Sequence, residues 1–252
     1  MQPAARLSKA FALPAVGVFC DSFPPPSPLC SQLHKQLNCS LYTHLMALRL
    51  FVATTSQGKL RDFRTAATAH SIQIDPLPSL TNITAPDETG ASFEANATIK
   101  AVYYSHFAPG ELVLADDSGL EVDALHGAPG VRSARFAADA GLTDSPDAND
   151  NSDVWNNMVL LQRLDGVPAS QRTARYRCVL VAARDGEPVS AAEGYVDGFI
   201  LEAPRGTGGF GYDPLFYLPE LHHTMAEIDL ETKHTLSHRG RAFAALLDRL
   251  RL

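Results

Sequence analysis

The alternation of apolar, strand-like segments with helical patterns constrains the fold of this chain more than any other feature. Leu48–Thr54 predicts a buried strand, and apolar residues at helical spacing follow it as far as Ala67. Ile72–Asp75 predicts a second short strand, and Leu112–Asp116 predicts another buried strand. Strands that alternate with helices in this way are typical of an α/β protein.

Later in the chain the pattern changes to a hairpin. Thr173–Arg184 and Val189–Ile200 predict two long strands, joined by a turn over Asp185–Pro188. Two helices are predicted to begin after Ser92 and Ser237, whose hydroxyls are placed to cap them. The helix after Ser237 has Phe243, Leu246, Leu247 and Leu250 on one face, and a third helix is predicted from a stripe of Val154, Met158, Leu161 and Leu164. We therefore expect a mixed β-sheet flanked by helices.

The first 45 residues differ from the rest of the chain. They contain a proline cluster at Phe23–Pro28 and three of the four cysteines. Their basic start and mildly apolar residues 10–20 suggest a targeting leader, but Pro14 interrupts the stretch and no clear cleavage site follows. The alternatives are a disordered extension and a wrongly chosen start codon, because Met46 directly precedes the first strand. We therefore expect residues 1–45 to be dispensable and residues 46–252 to form the functional domain.

Charge and cysteine content exclude several classes of protein. The formal net charge is −7, so the chain gains no general attraction to nucleic acid, although a local positive patch suffices for a free nucleotide. No apolar run approaches the length that spans a bilayer, and we expect a cytoplasmic protein. The four cysteines do not make a disulfide framework for 252 residues. A zinc site from Cys30, His34, Cys39 and His44 fits no familiar spacing, and incidental thiols are the alternative.

The first segment that could take part in binding or catalysis is Thr54–Lys59, which follows a strand and opens a helix. Small and hydroxylated residues at such a place expose backbone N–H groups to an anion, and Lys59 adds a positive charge. The segment is not a Walker A loop, because Ala53 stands where that motif needs glycine and Leu60 where it needs serine or threonine. It is either a phosphate-binding loop or an ordinary strand–helix turn.

The second segment contains two adjacent carboxylates, Asp116 and Asp117, at the predicted end of an apolar strand. Carboxylates are costly to bury unless they are paired or bind a metal, and ligands of open α/β sheets lie beyond such strand ends. Oxygen ligands suit magnesium better than zinc. The alternative is a polar turn at the strand end, closed by Gly119.

Three further segments are weaker signals. Glu88 and Glu94 lie near the start of a helix, where the helix dipole alone explains acidic residues. The glycine-rich segment Gly206–Pro214 is either a flexible hairpin end or a close-fitting loop whose Phe210 stacks on a planar ring. Lys233 and the segment Ser237–Gly240 place cations at a helix start, against the dipole. Those cations therefore face an anion or a carbonyl oxygen, unless they form an exposed charged turn.

Together, these segments closely resemble the inosine/xanthosine triphosphate pyrophosphatase family, in order and from about Leu48 to Leu250. The most specific strings are Ala115–Leu120, Gly127–Arg135, Gly208–Pro214 and Ser237–Gly240. The resemblance implies a long mixed β-sheet flanked by helices, with two lobes and a central cleft, and a homodimer. It also implies hydrolysis of inosine, deoxyinosine and xanthosine triphosphates to the monophosphate and pyrophosphate, with Mg²⁺ as the cofactor.

The resemblance further implies a role for each matching residue. Asp117 is the implied proton acceptor, and the implied metal ligands are Glu88 and Asp117. The implied supporting residues of the cleft are Asp116, Glu94 and Lys100. The implied substrate-binding residues are Thr54, Thr55, Ser56, Gln57, Gly58, Lys59, Ser118, Phe210, Gly211, Tyr212, Asp213, Lys233, His238 and Arg239. Of these, Arg239 and His238 are the expected readers of the base, as cations that face the oxygen at position 6.

One departure from the family concerns the triphosphate loop, which usually reads Thr-Gly-Asn and here reads Thr54-Thr55-Ser56. Thr55 adopts positive φ less readily than glycine, and Ser56 reaches less far than asparagine. Two other functions stay open at this point. One is a pyrophosphatase for other modified nucleotides, such as pyrimidines, and the other is a nucleotide-binding module without catalysis.

Overall fold

The computed structural model describes residues 49–68, 70–142 and 152–252, so the predicted extension over residues 1–45 lies outside the described residues. The fold is built on a seven-stranded sheet with the order β2-β1-β3-β4-β5-β6-β7. The strands are β1 (Arg49–Val52), β2 (Gln73–Pro76), β3 (Val113–Val122), β4 (Thr173–Arg184), β5 (Glu187–Ile200), β6 (Phe216–Leu218) and β7 (His223–Thr224). β1 pairs in parallel with β2 and β3, and the later pairs are antiparallel. The expected mixed α/β sheet is confirmed.

Helices cover both faces of this sheet. The α-helices of the described residues are α1 (Gln57–Thr68), α2 (Phe93–Ser105), α3 (Phe136–Asp139), α4 (Ser152–Arg163), α5 (Leu230–Leu236) and α6 (His238–Leu250), and the 3₁₀ turns are Leu80–Asn82, Asp123–Leu125, Gly130–Arg135 and Ala169–Gln171. Both predicted caps are present: the Ser92 hydroxyl accepts from Ala95 N and the Ser237 hydroxyl from Gly240 N. No helix among the described residues is long and apolar enough to cross a membrane.

Three apolar clusters divide the fold into two lobes. In the first lobe, α1 and α6 cover one face of the sheet, around Phe63 and Phe243, while α2 covers the other face, around Phe93. In the second lobe, the far halves of β3, β4 and β5 pack with α4 and β6 around Leu160 and Phe216. The first half of β3 packs in the core of the first lobe, and its second half packs in the core of the second lobe. The cleft lies between these two halves.

The structure corrects two details of the predicted elements. β3 does not end at the two aspartates but continues to Val122, because β4 pairs with it along its whole length. Asp116 and Asp117 are therefore residues of a central strand, and Gly119 belongs to that strand rather than to a turn. Of the predicted apolar stripe on α4, Val154 and Met158 are exposed, whereas Leu161 and Leu164 pack in the core beside Leu160, so the prediction was wrong only for the first half of the helix.

The predicted hairpin is confirmed, with a tighter turn than expected. β4 ends at Arg184 and β5 begins at Glu187, which leaves Asp185 and Gly186 as the two turn residues. Both have positive φ, 52° and 88°, as the two-residue turn between twisted antiparallel strands requires.

Candidate active site

The site lies along β3, beyond the point where its neighbour β1 ends. β1 pairs with Val113 and Leu114 only, so the next residues of β3 face the cleft on that side. Because side chains alternate along a strand, Asp116 and Asp117 point to opposite faces of the sheet. Asp116 meets Lys59 of α1, whereas Asp117 meets Lys100 of α2. The two carboxylates therefore have separate partners and separate chemistry.

Asp117 lies at the centre of a small polar network on the α2 face. Lys100 Nζ is 3.1 Å from Asp117 Oδ1 and 3.1 Å from Glu88 Oε2. Asn96 donates to Asp117 Oδ2 at 3.2 Å and accepts from Gly90 N at 2.8 Å, which ties the loop before α2 to the site. Burial raises the pKa of Asp117 more than the charge of Lys100 lowers it. A carboxylate with a raised pKa is a better proton acceptor at neutral pH than an ordinary aspartate.

Glu88 and Asp117 suit the magnesium ion that the family resemblance implies. Both converge on one cationic nitrogen, Lys100 Nζ, so two hard oxygen donors already surround a positive charge. No cluster of three or more His, Cys, Asp and Glu side chains occurs in the part of the chain that the structure describes. Magnesium in nucleotide enzymes is commonly held by one or two carboxylates together with the substrate phosphates. The donor set therefore fits a Mg²⁺ ion that arrives with a triphosphate.

Asp116 is the centre of a second polar network, on the opposite face of β3. Its Oδ2 lies 2.9 Å from Lys59 Nζ and accepts from the Ser118 hydroxyl at 3.0 Å. Arg239 Nη2 donates to that hydroxyl at 2.9 Å, while Arg239 Nη1 donates to Asp62 Oδ2 at 3.3 Å. Burial alone would raise the pKa of Asp116, but the charges of Lys59 and Arg239 outweigh burial and hold it well below its usual range. Asp116 is thus a permanent anion that orients two cations.

The glycine-rich loop places the ring of Phe210 over two cations, Lys233 and Arg239. Its centroid is 5.3 Å from Lys233 Nζ and 5.0 Å from Arg239 Cζ. Asp213 holds this arrangement, because its Oδ2 accepts from Lys233 Nζ at 2.5 Å and from Phe210 N at 2.9 Å. A Cβ atom at Gly58 would lie 2.7 Å from the Phe210 ring. Glycine at position 58 is therefore what lets the ring approach α1.

His238 corrects one expectation about the base readers. The side chain is buried, and its ring stacks on Tyr176 with centroids 4.8 Å apart and an interplanar angle of 10°. Burial and the neighbouring charge of Arg239 lower the pKa of His238 well below its usual value. His238 is therefore neutral, and only Arg239 is a cation. Neither ring nitrogen of His238 has a hydrogen-bond partner within the described protein, which leaves both for a ligand.

A cleft of about 330 Å³ joins the two networks. The predicted residues that line it are Lys59, Glu88, Lys100, Asp117, Ser118, Phe210, Gly211, Tyr212, Asp213, His238 and Arg239. Lys233 and Gly58 do not line it but contact Asp213 and Phe210, which do.

Two groups of predicted residues lie away from the cleft lining. Thr54, Thr55, Ser56 and Gln57 belong to the β1–α1 connection, where the Ser56 hydroxyl accepts from Lys59 N at 3.3 Å, so their contact with phosphate stays a prediction. Glu94 is exposed in the first turn of α2 and is not among the residues that line the cleft, which argues against the supporting role that the resemblance implies. The helix dipole explains this acid.

Several lining residues were not predicted individually: Gly119, Leu120, Val131, Ser133, Ala134, Arg135, Asp153, Asn156 and Tyr176. Some belong to the string Gly127–Arg135, which resembled the family without a role for any residue. Asn156 donates to Ala134 O and accepts from Ala137 N, so it fixes the chain on both sides of Arg135. Sequence periodicity placed Asn156 on a helix but contained no signal of this long-range contact.

Comparison with known proteins finds a matching family and similar proteins over most of the chain. The profile of the Ham1 family matches residues 50–249. A dITP/XTP pyrophosphatase of Acidobacterium capsulatum is 59% identical over 205 residues, which are 81% of this chain and 99% of that protein. One from Desulforamulus reducens is 43% identical over 201 residues, or 80% of this chain and 94% of that protein. The structure of a HAM1 protein from Coxiella burnetii matches with a TM-score of 0.67 at 33% identity, over 81% of this chain and 98% of that chain.

Proposed function

This chain belongs to the Ham1 family, and from that premise we propose that it is a pyrophosphatase for inosine, deoxyinosine and xanthosine triphosphates. A water oxygen attacks the α-phosphorus, the α–β anhydride bond breaks, and the nucleoside monophosphate and pyrophosphate leave. The reaction removes deaminated purines from the nucleotide pool. That pool lies in the cytoplasm, which supports a cytoplasmic location for the enzyme.

The observation that carries this proposal is the convergence of Glu88 and Asp117 on Lys100 Nζ, beside a cleft lined by further cations and an aromatic ring. Burial alone would lower the pKa of Lys100, but the charges of Asp117 and Asp116 outweigh it and raise the pKa. Lys100 therefore stays cationic. A structure that holds charge in place before the substrate arrives stabilises charge developing in the transition state without reorganisation.

Each of the charged side chains along β3 has its own proposed role in the reaction. Asp117 is the proposed acceptor of the proton of the attacking water, because it lines the cleft and because Lys100 and Asn96 hold its two carboxylate oxygens in place. Lys59 and Lys100 offset the negative charge of the phosphates from opposite faces of β3. Glu88 and Asp117 are the proposed ligands of Mg²⁺, which when bound neutralises phosphate charge, polarises the phosphoryl group and lowers the pKa of water.

Selection of the base rests mainly on Arg239. A neutral histidine carries one donor and one acceptor nitrogen, so His238 can face either a 6-keto oxygen or a 6-amino group by changing tautomer. Arg239 can only donate, and Asp62 and Ser118 occupy two of its five N–H groups. A 6-keto purine offers an acceptor to the remaining donors, whereas adenine presents another donor. A site built around such a bond can reject the mismatched base by a factor on the order of 10⁴.

The test is pyrophosphate release from inosine, deoxyinosine, xanthosine, adenosine and guanosine triphosphates, with modified pyrimidine triphosphates alongside. We expect the highest kcat/KM for the deaminated purines. Arg239→Ala should lower kcat/KM for inosine triphosphate much more than for ATP. Equal wild-type values for inosine triphosphate and ATP would refute the purine selectivity. Preference for a modified pyrimidine would assign another substrate, and binding without turnover would indicate a nucleotide-binding module.

Two further parts of the proposal have separate tests. Activity should require added Mg²⁺ and disappear with a chelator, and full activity after exhaustive chelation would refute the metal mechanism. We also propose that the chain forms a homodimer, on the strength of its family membership. Light scattering that gives the mass of a single chain at micromolar concentration would contradict the dimer.

A further inference from the structure

The first turns of α4 hold the glycine-rich loop through both backbone groups of one residue. Asp153 Oδ2 accepts from Gly211 N at 2.7 Å, and Asn157 Nδ2 donates to Gly211 O at 2.9 Å. Asp153 and Asn157 are four residues apart, so they share one face of the helix. Gly211 adopts a left-handed φ of 62°. α4 therefore holds the loop at a residue whose backbone is left-handed.

Gly211, the residue that α4 holds, lies directly between Phe210 and Tyr212 in the chain. Phe210 N donates to Asp213 Oδ2 at 2.9 Å, so side-chain hydrogen bonds fix both peptide groups next to the Phe210 side chain. The Phe210 ring lies over Lys233 and Arg239 and leaves no room for a Cβ at Gly58. The backbone at Gly211 therefore contributes to the position of this ring.

We propose that Asp153 and Asn157 are positioning residues that hold the Phe210 ring where a purine base stacks on it. This inference rests on the proposed function, because it concerns the base-binding end of the same cleft. The two side chains act on affinity for the base and leave affinity for the polyphosphate to Lys59 and Lys100. Glycine has the largest conformational freedom to lose, so a gripped Gly211 lowers the entropy cost of ordering the loop around a base.

The experiment measures equilibrium binding, which separates the two ends of the substrate. Inosine monophosphate probes the base end and inorganic pyrophosphate probes the phosphate end, each titrated by calorimetry into the full chain with Mg²⁺. For the variant Asp153→Ala/Asn157→Ala, we expect Kd for inosine monophosphate to rise about tenfold, as for the loss of base stacking on one aromatic ring. Kd for pyrophosphate should stay within about twofold. Gln162→Ala, an exposed polar residue of the same helix, should change neither value.

A double-mutant cycle identifies Phe210 as the route of the effect. In a Phe210→Ala background, removal of the two gripping side chains should cause no further loss of affinity for inosine monophosphate. Asp153→Asn, which keeps an acceptor oxygen, should recover most of the affinity that Asp153→Ala loses. If the double variant does not fold, Asn157→Ala alone carries the same comparison.

Three results would overturn the inference: an unchanged Kd for inosine monophosphate, an equal loss of affinity for pyrophosphate, or an undiminished loss in the Phe210→Ala background. Each of them leaves the proposed function intact if the wild-type chain hydrolyses inosine triphosphate. A wild-type chain that neither hydrolyses inosine triphosphate nor binds its monophosphate would instead refute the proposed function, and the inference with it.

Discussion

Replacing Asp117 with asparagine tests the proposed chemistry most directly. The change keeps the size of the side chain but removes its charge and its ability to take a proton. In the native structure Oδ1 accepts from Lys100 and Oδ2 accepts from Asn96. An amide has one acceptor oxygen, so one of these two donors loses its bond, and the ion pair with Lys100 is lost as well.

We expect kcat for inosine triphosphate to fall at least about 10²-fold, because general base catalysis alone is typically worth that much. This factor corresponds to roughly 2.7 kcal/mol of activation free energy. The free energy of unfolding should change by much less than this activation free energy. Glu88 still pairs with Lys100, and the substitution removes the cost of burying the carboxylate. The measurements are the initial rate of pyrophosphate release with Mg²⁺ and the Tm.

Glu94→Gln is the matched control, since Glu94 also belongs to this acidic region but lies outside the cleft. It should keep close to wild-type activity. An Asp117→Asn variant that keeps more than about a tenth of the activity would contradict the role of Asp117 as the base. Complete unfolding of the variant would contradict the expectation that its role is chemical rather than structural.

Other substitutions test the rest of the cleft. Gly58→Ala should raise KM for inosine triphosphate, because the new Cβ would displace the Phe210 ring, and an unchanged KM would show that the ring position is unimportant. Arg135→Gln should raise KM about threefold to tenfold, since a cation at the rim of the cleft contributes on the order of 1 kcal/mol. Arg132→Gln, which removes an exposed partner of Asp139 outside the cleft, should leave KM unchanged. Equal effects of the two substitutions on KM would refute a specific role of Arg135 in substrate binding. Asp116→Asn should lower Tm most above about pH 5 and progressively less as the pH falls further, because a depressed pKa contributes stability that is present above the unfolded value of about 3.9 and is lost as the pH falls towards the folded value. A Tm difference that does not depend on pH would refute this assignment.

Local patterns in the sequence were sufficient for most elements of the fold. The hydroxyls of Ser92 and Ser237 cap the helices that they were predicted to begin. The turn at Asp185 and Gly186 joins the two longest strands. These features depend on neighbouring residues only, so their signals are complete within a few positions of the chain. On α4, Val154 and Met158 were wrongly predicted to be buried, because the side of a helix that is buried depends on what packs against it.

The sequence by itself determined which residues are available to the site, since the strings around Asp117, Phe210 and His238 identify the family. Only the tertiary structure decided what those residues do. In the folded chain, Asp116 and Asp117 point to opposite faces of β3, and Glu94 lies outside the lining of the cleft. Burial lowers the pKa of His238, so its ring is neutral. Contacts such as Arg239 with Ser118 join residues 121 positions apart. Charge and proton affinity depend on distance and solvent exposure, and those quantities exist only once distant segments have packed together.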